Sequence, residues 1–207
     1  MRAYSKDEKL ISTRRAHIAE CASRVFIKKG YDSSNIPDIA SACGMSVGSL
    51  YRYIGSKEDI LYLVIDHGIQ RETAFVNKTF QKAKSLNPVE AIKFAMSELI
   101  KSVDEIQDII LFSYRTMYII EPAARQNVLN TDRAIINGFE KLLISGCKKG
   151  VFEIDNVHMV AQSIDVISQM WVIRRWAFRK ICTLNEYIEF NTNYILKLIC
   201  KEPYKSA

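Results

Sequence analysis

Residues that interrupt helices are scarce in this 207-residue chain, which holds four prolines and eight glycines. Strand-like alternation of apolar and polar residues is almost absent, whereas apolar residues recur at helical spacing along nearly the whole length. The sequence therefore predicts an all-α protein. Its five cysteines, Cys21, Cys43, Cys147, Cys182 and Cys200, are odd in number and show no C-x-x-C spacing, which argues against a disulfide framework and a thiolate zinc site. The three histidines, His17, His67 and His158, stand far apart and in no H-x-x-x-H pattern, so neither a metal nor a cofactor is expected. A glycine-rich phosphate loop and a cluster of titratable residues are also missing, which gives an enzyme little to work with. No apolar run approaches the roughly 20 residues needed to cross a bilayer. The first ten residues are charged where a secretion signal would be apolar. The expectation is a cytoplasmic protein with no membrane partner.

What is present begins with charge. The formal net charge is +6 and the sequence pI is near 9.0. The first 60 residues hold ten Lys/Arg against seven Asp/Glu, so positive charge is denser there. That permits a polyanionic partner without demanding one. Helical periodicity, caps and breakers predict nine helices, over 10–29, 36–43, 47–54, 56–84, 88–102, 104–120, 122–149, 155–181 and 184–200. Gly30 closes the first, Ser34 or Asn35 caps the second with Pro37 in its first turn, Gly44 ends the second, and Ser46 caps the third.

Residues 34–57, SNIPDIASACGMSVGSLYRYIGSK, carry the strongest signal. Two short helices joined by a glycine-containing turn of three or four residues form a helix-turn-helix, here about 34–53. In the third helix Val47, Leu50 and Ile54 fall at i, i+3 and i+7 and are expected to pack inward. Gly48, Ser49, Arg52 and Tyr53 are then expected to project outward on a helix of a size that fits the major groove of DNA. Glycine allows close backbone approach, Ser49 can hydrogen-bond base edges, and Arg52 can reach a guanine or a phosphate. Tyr51 and Tyr53 offer hydroxyls to phosphates, and Lys57 opens the next helix, where free N–H groups favour an anion. Ser34, Ser46 and Val47 complete the expected DNA-facing set.

The run Gly48, Ser49, Leu50, Tyr51, Arg52, Tyr53, Ile54 and Lys57 resembles the third helix of TetR-family repressors. Ile54 stands where that family usually has Phe, and Ser49 where Thr is common. Phe26, Gly30, Tyr31, Ile39, Ala40, Gly44, Met45 and Ser46 match as well, so the likeness covers about residues 10–65. It implies a nine-helix TetR-like fold, with a three-helix DNA-binding domain at 10–65 and a helical ligand-binding and dimerisation domain at 66–202. It further implies a homodimer, built through the last two helices, that binds a palindromic double-stranded operator.

The larger part offers two expectations. Val157, Val160, Ala161, Ile164, Ser168 and Trp171 form one stripe, and Leu184, Tyr187, Ile188, Asn191, Ile195 and Leu198 another. Four such helices, two from each chain, can build a two-fold interface. The segment MWVIRRWAFRK, residues 170–180, resembles a Trp–Arg–Arg–Trp pattern in TetR-like regulators of lipid metabolism that sense acyl-CoA thioesters. Arginine binds carboxylate and phosphate in two-pronged fashion. The expected effector site therefore comprises Phe112, Tyr118, Trp171, Arg174 and Arg175, taking an acyl-CoA or another apolar anionic molecule. The resulting expectation is a repressor released from its operator by that effector. The alternatives are a DNA-binding protein that responds to no ligand, or one that responds to oxidation through Cys147 or Cys182.

Overall fold

The computed structural model describes residues 8–116, 118, 120–202 and 204, with backbone alone at 71, 72, 123, 124, 127 and 131. Ten helices occur among these residues: α1 (Glu8–Lys29), α2 (Ile36–Ala42), α3 (Val47–Leu50), α4 (Lys57–Ala83), α5 (Pro88–Glu105), α6 (Gln107–Thr116), α7 (Pro122–Lys148), α8 (Val157–Ile173), α9 (Arg175–Phe178) and α10 (Leu184–Ile199). One isolated antiparallel bridge, Phe152 to Cys200, is the only β pairing among them. The all-α expectation holds, and the helix count departs from nine at a single place.

That place is Arg174, where the helix expected over 155–181 divides into α8 and α9. In a straight helix, residues seven apart are separated by about 10.5 Å along the axis. Here the rings of Trp171 and Phe178 stack at 6.3 Å, and Phe178 meets Tyr187 edge-on at 4.9 Å. Breaking the helix lets this aromatic cluster close. The third helix is shorter than expected for a related reason. After Leu50 the chain tightens, with Arg52 N–H donating to Ser49 O and Tyr53 N–H to Leu50 O, a spacing typical of 3₁₀ turns. That turn buries Ile54 beside Leu50 before Gly55.

The chain divides into two compact units. The first comprises residues 8–72 together with the described residues of 112–128. Its core contains Ile18, Ala22, Phe26, Ile39, Leu50, Ile54 and Ile60, and the Phe26 ring stacks on Phe112 at 5.7 Å. The second comprises 73–111 and the described residues from 129 onward. There α8 and α10 both pack on α5, whose Ala91, Ile92, Ala95, Met96, Leu99, Ile100 and Val103 make one buried face. This division differs from the expected boundary between 65 and 66, because α4 runs seven residues further in the first unit and 112–128 returns to it.

Asp165 on α8 is buried in the second unit, where its Oδ2 accepts from Gln169 Nε2 at 2.8 Å. Burial, with the nearby Asp132 carboxylate, pushes its pKa up to about 6. The fold thus favours the neutral acid, so this group costs stability progressively as pH rises from about 4 to about 6, and the full cost remains above that. Asp165→Asn should raise the melting temperature at pH 7, by up to about 3 kcal/mol of stability. The gain over the native protein should vanish near pH 4. Thermal denaturation of both proteins at the two pH values measures this difference, and an equal gain at both would refute the assigned burial effect.

Candidate nucleic-acid interface

The helix-turn-helix is assembled from local bonds. Asn35 Oδ1 accepts from Asp38 N–H at 2.8 Å and so caps α2. Asp38 is also fixed by Lys29, Nζ to Oδ1 2.7 Å, and that hydrogen bond holds its carboxyl below the usual range. At the other end Gly44 takes φ +64°, a left-handed conformation that glycine adopts without strain. Met45 N–H donates back to Ala40 O and Gly44 N–H to Ser41 O, the paired bonds of a Schellman stop. The chain then reverses into α3, whose first turn is capped by Ser46 Oγ accepting from Ser49 N–H at 3.1 Å.

The expected DNA-facing residues separate into three groups. Ser46, Gly48, Tyr51 and Arg52 are exposed together at α3 and the turn after it, with Ser49 half-buried among them. Val47 joins this surface at 37% exposure, although helical spacing placed it in the packed stripe; with α3 so short, Leu50 and Ile54 alone anchor it. Tyr53 is half-buried against the core, and its carbonyl accepts from Arg15 Nε at 3.3 Å, so it projects less than expected. Lys57 Nζ donates to Asp32 O at 3.3 Å and lies 4.3 Å above the Tyr31 ring. Burial and Glu58 push the Tyr31 hydroxyl pKa up to about 12. Ser34 is a correction: it is 4% exposed and its hydroxyl donates to Tyr31 O at 2.6 Å, so the loop's own closure consumes the side chain. Arg15 and Tyr31, which steady this surface from behind, were not among the expected site residues. Their partners lie 38 and 27 residues away in the chain, beyond any local pattern.

Gly48 is informative because the fold does not require it. A Cβ built there meets nothing within 4 Å, and a helical glycine costs about 1 kcal/mol relative to alanine. Its use at an open surface suits a backbone that must be approached closely from outside.

The expected effector residues are committed elsewhere. Phe112 belongs to the core of the first unit, under Phe26. Tyr118 is 87% exposed and lines no core. Trp171 is buried in the second unit, and its Nε1–H donates to Asp104 Oδ1 at 2.7 Å. Arg175 Nη1 donates to Gln107 Oε1 at 2.6 Å and lies 3.5 Å from Asp108, while Arg179 Nη2 reaches the same Gln107 oxygen at 2.9 Å. The α5–α6 junction therefore already engages Nη1 of Arg175, the side chain expected to hold an anion. Arg174 is exposed, with its guanidinium 5.2 Å over the Trp176 ring.

The paired stripes of the last helices turn largely inward, with Leu198 left outside. Ala161, Ile164, Ser168 and Trp171 on α8, and Tyr187, Ile188 and Ile195 on α10, are buried in the chain's own core. The apolar residues left outside are Met159 and Val166 on α8 and Phe190, Tyr194 and Leu198 on α10, with Phe190 70% and Leu198 63% exposed. Beside them a groove of about 640 Å³ is walled by Ile167, Met170, Phe178, Ile181 and Phe190. Among the cysteines, Cys43 is pushed up to about 12 by burial and by Cys21, which leaves its thiol protonated and a poor nucleophile.

Comparison with known proteins agrees with this geometry. Residues 18–62 match the family described as bacterial regulatory proteins, tetR family. The HTH-type transcriptional regulator HbdR of Aromatoleum sp. (strain CIB) is 26% identical over 202 residues, covering 97% of this chain and 85% of the relative. The HTH-type transcriptional repressor KstR2 of Mycobacterium tuberculosis is 26% identical over 176 residues, covering 80% of this chain and 82% of the relative. Among solved structures, AibR in complex with isovaleryl coenzyme A and operator DNA superposes with a TM-score of 0.71 at 18% identity, over 87% of this chain and 97% of that one.

The two glycines of the motif should respond in opposite ways. Gly44→Ala forces a side chain into a left-handed conformation and should cost about 1–2 kcal/mol. Gly48→Ala adds a methyl group to open space and should leave the melting temperature unchanged or slightly raised. Calorimetry of the two variants decides it; a destabilised Gly48→Ala would show that the fold itself needs that glycine.

Proposed function

We propose that the chain, whose residues 18–62 match the tetR family of bacterial regulatory proteins, is a homodimeric repressor whose α2–α3 unit reads a palindromic operator. The reading rests on one observation: the exposed group Ser46, Val47, Gly48, Tyr51 and Arg52, carried on a capped helix whose glycine serves no packing purpose. Ser49 and Arg52 contact base edges, while Tyr51 and Lys57 bind phosphates and set register. Tyr53 acts mainly through its support of the turn. One short helix reads few bases, so two copies engage half-sites about one DNA turn apart. The DNA-reading domain corresponds to the first unit, and the second unit binds effector and partner.

The dimer forms through the outward faces of α8 and α10, which share only Leu198 with the stripes that periodicity picks out. Phe190, Tyr194 and Leu198 supply its apolar centre, with Met159 and Val166 beside them. Large exposed apolar patches mark such interfaces. The effector is an acyl-CoA or a similar apolar anion. In support, AibR has been crystallised with isovaleryl coenzyme A and operator DNA, and KstR2 is a transcriptional repressor. Arg174 takes the anionic group, since Arg175 is engaged with Gln107. Effector binding and operator binding are coupled, typically by about 1–3 kcal/mol.

Four outcomes are expected. A Tyr51→Ala, Lys57→Ala double variant binds all DNA more weakly and with a shallower salt dependence, measured by fluorescence anisotropy over a salt series. Gly48→Ala weakens operator binding although its fold is intact; operator affinity equal to that of the native protein sinks the assignment of α3. Phe190→Glu with Leu198→Glu converts the dimer to a monomer in sedimentation equilibrium, and an unchanged dimer would place the interface elsewhere. Isovaleryl coenzyme A added to the operator complex tests the effector class, with release expected and lost on Arg174→Ala.

A further inference from the structure

A polar pocket of about 270 Å³ opens between α5 and α10 on a different side of α10 from the exposed Phe190, Tyr194 and Leu198. Lys93 and Ser97 enter it from α5, one helical turn apart, and Glu189, Thr192 and Asn193 from α10. Tyr204, from the segment after α10, closes one side. Ile188 and Thr192 are the buried members and make the floor, and Glu189 is exposed at the rim.

Most of these polar groups are arranged by one another. Lys93 Nζ lies 3.1 Å from Glu90 Oε1 and 5.6 Å from the centre of the Tyr204 ring. Tyr204 donates its hydroxyl proton to Asn193 Oδ1 at 3.2 Å, which leaves the Asn193 amide N–H groups free to donate. One group stands apart. Thr192 Oγ1 is the buried side-chain oxygen or nitrogen without a hydrogen-bond partner among the described residues. Buried hydroxyls are almost always paired, and an orphan in the floor of an open pocket calls for a partner from outside the chain.

We infer that this pocket is a binding site for a small zwitterion of amino-acid type, with its carboxylate toward Lys93 and Thr192 and its ammonium toward Glu189. The lining decides the class. The Lys93 ammonium, the Thr192 and Ser97 hydroxyls and the Asn193 amide present donors to an anion. Glu189 at the rim, with Glu90 beside Lys93, repels a phosphate or any other multiply charged anion and accepts from an ammonium. An apolar ligand would leave Thr192 unpaired. The volume lies at the low end for ligand pockets and admits a single small metabolite, so this site is distinct from an acyl-CoA site and does not depend on one.

The test uses the full chain and the standard L-amino acids as probes, screened in groups by saturation-transfer NMR and then singly by calorimetry. At least one should bind. Lys93→Met and Thr192→Val, both folded by circular dichroism, should each weaken that binding about tenfold, the effect of losing one hydrogen bond to a charged group. Acetate and methylammonium, each carrying half of the zwitterion, should bind at least about tenfold more weakly than the whole. The proposal is overturned if no amino acid binds, which leaves water as the partner of Thr192. It is also overturned if binding survives both substitutions, or if acetate alone binds as well as the zwitterion.

Discussion

The reading surface depends on the burial of Leu50 and Ile54. Each is almost completely withdrawn from water in the core that α1 and α2 provide, and each contributes about 1.5–3 kcal/mol of apolar transfer free energy. They stand four positions apart, and between them α3 ends after one turn and the chain tightens. Everything functional around them follows from that seating. Val47, Gly48, Tyr51 and Arg52 face solvent because the two anchors face inward. Ser46 can cap because the Schellman stop at Gly44 delivers it in an extended conformation.

The same competition between inward and outward use explains which features were legible in the sequence. Caps and turns are decided by residues within four positions, so Gly44, Ser46 and the Thr183–Glu186 capping box could be anticipated or recognised locally. Asn35, not Ser34, caps α2; two adjacent candidates differ only in which side chain the Tyr31 carbonyl captures. The faces of α8 and α10 were not legible in this way. Both helices carry two apolar stripes, and periodicity shows that stripes exist without saying which one the chain's own α5 will cover. The answer comes from α5, whose continuous buried face takes Ile164, Trp171, Ile188 and Ile195. Most of the residues named as the dimer stripe therefore face the core, Leu198 excepted, and it joins the residues outside that are spare for a partner.

The tryptophan–arginine segment shows the limit from the opposite direction. Arg175 and Arg179 look unpaired in the sequence because their partners, Asp104, Gln107 and Asp108, lie about seventy residues earlier. Once folded, Trp171 and Arg179 share Asp104, and Arg175 and Arg179 share Gln107. Such a network fixes the break at Arg174 against the α5–α6 junction. Arg175, held by the Gln107 amide and 3.5 Å from the Asp108 carboxylate, has less to gain from a ligand than an uncommitted guanidinium. Arg174, resting on Trp176, carries no such prior commitment to Gln107, and the two adjacent arginines thus divide between architecture and exposure.

Sixteen residues of α10 serve three neighbours at once. One face is buried on α5 and α8, a second presents Phe190, Tyr194 and Leu198 to the outside, and a third carries Glu189 and Asn193 beside Lys93. A helix has circumference for about three such strips and no more. Thr192 lies where the first strip meets the third, buried in the pocket floor and without a hydrogen-bond partner among the described residues. Removing the hydroxyl would satisfy the core but abolish the polar floor of the pocket. That a β-branched alcohol stands there instead of valine, its near-isostere, is the physical reason to read the pocket as a site and not as a packing defect.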